Sequence, residues 1–191
     1  MTNIQCVTGS RHERTHARLI DCALDLFESR GFEQTTVAQI AAAAGVTQMT
    51  FFRHFPSKEL AVLADPYDPV IADAVGARPS EEVALSRAVR GVRHAVAGLS
   101  QIESQLLRRR VRIIADSPTL RASSTSLNAR TEARIADRLI ADGADPLAGR
   151  VAAAAVLAAL TAALYEWADD DGLRLATAIE VALHTLEGQD G

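Results

Sequence analysis

Apolar positions along the chain recur with a helical rather than a strand period. Leu19, Ile20, Ala23, Leu24 and Phe27 share one helical face. They predict a helix from about Arg11 to Arg30, ended by Gly31 at C′. Thr36-Val37-Ala38-Gln39 has the form of a capping box, with a hydroxyl for the N3 amide and a glutamine reaching back. It opens a short helix to about Ala44. Gly45 follows, where glycine turns left-handed without strain. Thr47 caps another short helix, Gln48 to Phe55, and Pro56-Ser57 stops it before a fourth begins. Two short helices joined by a glycine turn form a helix-turn-helix, and Val37, Ile40, Ala41, Ala44, Val46, Phe51 and Phe55 have the spacing of its core. On pattern alone, an ordinary corner in a helical bundle fits equally well.

The rest of the chain is also helical in pattern. Residues 64–80, ADPYDPVIADAVGARPS, read as a proline-punctuated connector with a turn or two of helix. Ser80, with Glu81 and Glu82 behind it, predicts a helix start, followed by Leu85, Val89, Val92, Val96 and Leu99 on one face. Further helices are expected over about 101–115, 119–141, 147–168 and 172–187, making about nine in all. Ser117-Pro118 and Asp145-Pro146 each place a cap before an N1 proline, and Gly143 and Gly188 close helices. The stretch Val151 to Tyr165 is apolar all round, which requires burial on more than one side, and Leu175, Ile179, Ala182 and Leu186 give the last helix an apolar stripe.

Composition narrows the class. Alanine occupies 36 of 191 positions, with only 11 glycines, 6 prolines and 4% aromatics, so the expected fold is all-α. Cys6 and Cys22 form no CxxC pair and read as reduced thiols of a cytoplasmic protein. The apolar run of 15 residues is shorter than the roughly 18 of a membrane span, and the N-terminus carries no signal-peptide core. Net charge is −4; residues 1–60 carry six basic and six acidic side chains, the remainder 14 and 18. That balance argues against sequence-blind phosphate binding. Of the 20 basic residues, 19 are arginine and one is lysine, Lys58.

The residues decide what the pattern leaves open. GFEQTTVAQIAAAAGVTQMTFFRHFPSKELAVL, residues 31–63, closely resembles the DNA-binding segment of the TetR family of transcriptional regulators, and residues 11–32 resemble that family's first helix. The resemblance implies a DNA-binding domain over 1–56 and a ligand-binding and dimerisation domain over 57–191. It implies a homodimer on a palindromic double-stranded operator, with the last two helices as the dimer interface, released when a small-molecule effector binds. Thr36, Thr47, Thr50, His54 and Lys58 fall at its phosphate-contacting positions, and Gln48, Met49, Phe52 and Arg53 at its base-facing ones. Their chemistry suits the role: Gln48 can pair with adenine, Arg53 with guanine, and Met49 and Phe52 can meet a thymine methyl. Many relatives place an arginine where this chain has Ala38, so Arg11 and Arg14 near the N-terminus are added as candidate contacts.

The effector is less legible. Arg110 and Glu132 each fall on an otherwise apolar helical face, where a charge must be paired. They read either as a structural bridge or as contacts to an acidic effector, with Tyr165, Trp167 and His94 as further pocket walls. All five phenylalanines precede residue 56, which favours an aliphatic or acyl effector over a polyaromatic one, and the wording of FFRHFPSKE and DPYDPVIADAV resembles a subgroup with acyl-CoA-like ligands. His12 and His16 have i, i+4 metal-pair spacing but no third ligand nearby in sequence, so no metal is expected. Nothing resembles a nucleophile–base pair or a phosphate-cradling glycine loop, so neither a cofactor nor an enzyme is expected. An activator built on the same module is the alternative to a repressor.

Overall fold

The computed structural model describes residues 10–63, 68–98 and 105–188. Among them ten helices and no strands are found. The chain divides into two compact units, residues 1–64 and 65–191.

The first unit holds α1 (Arg11–Arg30), α2 (Val37–Ala43), α3 (Gln48–His54) and α4 (Leu60–Leu63). A capping box of Ser10 and Glu13 starts α1, and Gly31, at φ +84°, ends it. Leu19, Ile20, Ala23, Leu24 and Phe27 are buried, as their spacing predicts. Ile40, Ala41, Ala44, Phe51 and Phe55 complete the core, while Val37 and Val46 lie half-buried at its edge. Each large apolar side chain buried here contributes roughly 1.5–3 kcal/mol. Helix α4 belongs to this unit because Ala61, Val62 and Leu63 are buried and α4 packs on α1.

The second unit contains α5 (Asp68–Gly76), α6 (Ala84–Gly98), α7 (Gln105–Asp116), α8 (Pro118–Ala141), α9 (Pro146–Asp169) and α10 (Leu175–Glu187). Its centre is α9, which packs on α6, α7, α8 and α10 and buries Val156, Leu157, Leu160 and Trp167. Ser117 and Asp145 cap α8 and α9 as expected. Ser80 does not cap α6, which begins at Ala84. The Glu82 amide instead closes a turn onto the Pro79 carbonyl, and the Glu82 carboxylate turns to Arg78 and Arg90. Helix α10 starts at Leu175 rather than 172 because Asp170 takes the Gly172 and Leu173 amides into a turn. Leu99 and residues 101–104, assigned to helices from their pattern, lie outside the described residues.

Two contacts tie α5 into this unit. A Cβ on Gly91 would stand 2.5 Å from Val75 Cα, so α5 and α6 cross where only glycine fits. Buried Arg87 and the more exposed Arg138 both donate to the Gly76 carbonyl and to Asp142, joining the ends of α5 and α8. Helix α9 is 24 residues long, and by length and composition it is apolar enough to cross a membrane. A third of its most apolar window is buried among the helices of its own unit.

Candidate nucleic-acid interface

Helices α2 and α3 are short, so their ends decide their placement. Thr36 Oγ1 accepts from the Gln39 amide at 3.3 Å, and Gln39 Oε1 accepts from the Thr36 amide at 2.8 Å. Thr47 Oγ1 accepts from the Thr50 amide at 3.2 Å. Gly45 turns between the helices at φ +63°, and buried Ala41 allows close packing there.

This framing exposes one side of α3. Phe51 is fully buried and Phe55 nearly so, while Met49 is 73% and Phe52 49% exposed. Gln48 and Arg53 are exposed as well. Phe52 sets its ring edge-on to Phe51 at 5.7 Å, which steadies an apolar side chain held out in water. Thr36 and Thr47 are exposed at the helix starts, Thr50 is half-buried, and Arg11 and Arg14 are exposed on the first turn of α1. A surface with a glutamine, an arginine and two apolar tips, flanked by capped helix starts, can read base edges and meet phosphates.

His54 is half-buried and stacked on His12, with ring centroids 4.2 Å apart, and His16 stands 5.6 Å away and over Phe55. Burial first, then the charges of His12, His16 and Arg53, holds the His54 imidazole below its ordinary range. In the free protein this disfavours the imidazolium, and a neutral ring keeps one N–H to donate. The i, i+4 histidines serve this stack. Among the described residues no three metal-ligating side chains are placed to share an ion.

Lys58 is engaged within the protein. Its Nζ donates to the Phe32 carbonyl at 2.8 Å and the Thr35 carbonyl at 2.9 Å, and lies 4.1 Å from the Phe32 ring centroid. Partners 26 and 23 residues away leave no sequence signal. The Ser10 cap also went unread, although its signal is local: Ser-x-x-Glu ahead of an apolar-periodic run.

In the second unit, Arg110, Glu132 and Tyr165 are half-buried, Trp167 is fully buried and His94 is exposed on α6. Among the described residues, the ion pairs found do not include one between Arg110 and Glu132. The arginines that matter most to the wiring are its neighbours. Arg108 lies 4.5 Å over the Trp167 ring and donates to the carbonyls of Trp167, Asp170 and Leu173; Arg112 donates to the Ala168 carbonyl and to Asp171. Two cations thus satisfy carbonyls that the end of α9 leaves open. Burial raises the Tyr165 phenol pKa, against the nearby charge of Arg121. On α9, Leu147 and Val151 are 69% and 57% exposed, and Ala158 and Ala162 continue the same helical face; Val181 on α10 is 63% exposed.

Known proteins share this organisation. The family model for bacterial regulatory proteins of the tetR family matches residues 19–62, and the model for the MftR C-terminal domain matches residues 83–190. The HTH-type transcriptional regulator TcmR of Streptomyces glaucescens is 35% identical over 189 residues, 91% of this chain and 83% of its own. Among solved structures, SmeT bound to triclosan aligns with a TM-score of 0.62 at 20% identity over 93% of each chain; SmeT represses a multidrug efflux pump of Stenotrophomonas maltophilia. Thermus thermophilus FadR, a repressor in complex with lauroyl-CoA, aligns with a TM-score of 0.52 at 22% identity, over 90% of this chain and 93% of its own. At those identities the structural likeness is one of fold.

Proposed function

This chain belongs to the TetR family and is a transcriptional regulator rather than an enzyme, and on that premise we propose that it is a cytoplasmic, effector-released repressor acting as a homodimer on a palindromic operator. The observation that carries the reading is the exposed set Gln48, Met49, Phe52 and Arg53 on a helix whose opposite side is buried core. Thr36, Thr47, Thr50 and His54 would meet the backbone beside it, with Arg11 and Arg14 supplying charge from α1.

The dimer rests on the uncovered apolar face of α9, with Val181 on α10. Leu147, Val151, Ala158 and Ala162 recur at spacings that keep them on one side, and two such helices from each protomer make a four-helix interface. Val151→Glu should leave the helical content intact, sediment as a monomer and lose operator binding. A dimeric Val151→Glu protein that still binds would place the interface elsewhere.

For the effector, the proposal is an apolar or acyl molecule with an acidic group, met by Arg110 and Tyr165 with Glu132 beside them. Trp167, fully buried under Arg108, would back the site from the core, and His94 would stand at its surface edge. The neighbours' ligands each carry an apolar portion, the acyl chain of lauroyl-CoA and the aromatic rings of triclosan. Lauroyl-CoA should therefore release the protein from its operator and triclosan should compete less well. A ligand need favour the non-binding conformation by only about 1.4 kcal/mol for a tenfold release. An operator lying upstream of the promoter rather than over it, with expression lost on deletion, would instead mark an activator.

A further inference from the structure

The helix-turn-helix is a length of chain whose two ends are fastened together by one side chain. Lys58 stands just ahead of α4, in the segment that leaves α3. Its ammonium reaches back to the Phe32 and Thr35 carbonyls, in the turn that enters α2. The receiving turn is itself well fixed. Phe32 is buried 5.2 Å from Phe27, and the buried Thr35 donates its hydroxyl to the Gly31 and Leu26 carbonyls and its amide to Phe32. An ammonium has three protons, and two are placed on these carbonyls. Moving the whole group to a DNA phosphate would give up two charge-assisted hydrogen bonds and the contact with the Phe32 ring.

We propose that Lys58 is a positioning residue, a clasp that holds α2 and α3 in the arrangement that reads DNA, rather than a phosphate contact. The inference rests on α2 and α3 being the DNA interface. It explains why the chain's single lysine is half-buried on main-chain carbonyls within an otherwise arginine-based set of cations. A clasp and a phosphate contact have different signatures. Loss of a phosphate contact weakens all sequences alike and lowers the salt slope by about 1. Loss of a clasp disturbs the placement on which base contacts depend, and spares the charge count.

The test uses Lys58→Met, which keeps the stem over Phe32, in the full-length protein. Binding is measured to a duplex selected from a random library and to a scrambled duplex, each across a salt series. We expect about a tenfold loss on the selected duplex, less than about a twofold loss on the scrambled one, and unchanged salt slopes. Equal losses on both, with each slope lower by about 1, would overturn the clasp. Should Lys58→Met fail to fold, the wild-type protein decides. The lone lysine ammonium, isotopically labelled, should keep its through-hydrogen-bond couplings to the Phe32 and Thr35 carbonyl carbons in the DNA complex. Coupling to phosphorus in their place would overturn the proposal. A wild-type protein that prefers no duplex would overturn the DNA reading itself, while the lysine couplings of the free protein still report on the clasp alone.

Discussion

The two units were written with different kinds of information. In the first, helix starts are set by local chemistry: Ser10 with Glu13, Thr36 with Gln39 and Thr47 with Thr50 each act within one turn of chain. In the second, long helices are held by distant partners. Arg93 reaches Glu180 and Glu187, Arg87 reaches Asp142, and Arg108 reaches the end of α9, across gaps of 55 to 94 residues. Local caps fix where a helix begins and therefore which residues it exposes. Long-range arginine contacts fix how helices pack, without prescribing what the unit binds. A DNA-binding module that must present one fixed face suits the first construction, and a domain that encloses a ligand suits the second.

The contrast can be broken most forcefully at Trp167. It is fully buried in α9 beneath Arg108, so Trp167→Ala should remove about 3–5 kcal/mol of unfolding free energy, read by denaturant titration. A loss below about 1 kcal/mol would mean that α9 is not the keystone of its unit. The first unit is probed at its exposed face. Arg53→Ala should leave unfolding unchanged but remove about 1–3 kcal/mol of binding at the selected operator and relax selectivity at one base pair. A uniform loss on all sequences would make Arg53 a phosphate contact.

The smallest effect separates the units by pH. His54 is held below 6.5, so the unfolded chain takes up its proton first. The first unit should be fully stable above that value and lose stability as pH falls through 6.5 towards the lowered value. Asp142 is held below 3.8, chiefly by its hydrogen bond from Arg87 and then by that from Arg138. Its contribution to the second unit is present above 3.8 and is lost only as pH falls through its lowered value. Melting followed at both units should therefore show the first softening in mild acid while the second holds. His54→Gln should abolish the early softening. Loss of both units together near pH 6 would refute the assignment.

How far the fold could be read follows from the same division. Helix limits set by caps and prolines, such as Arg11–Arg30 and the starts of α8 and α9, were legible almost to the residue because their signals are local. The start of α6 was not, because Glu82 chose Arg78 and Arg90 over the helix end. On α7 the apolar face drew attention to Arg110, whereas Arg108 and Arg112, on the polar side of that pattern, cap α9. At the DNA face, the residue types carried the candidate contacts, but the stack of His54 on His12 and the bonds of Lys58 depend on chain folded back from far away.

On this reading the protein recognises one particular DNA sequence above others. Fluorescence anisotropy of the purified protein on DNA flanking its own gene, against a scrambled duplex at about 150 mM salt, tests it most directly. Submicromolar binding with a preference of about a thousandfold is the predicted result. Weak and equal binding to both, with no enrichment from a random library, would contradict it.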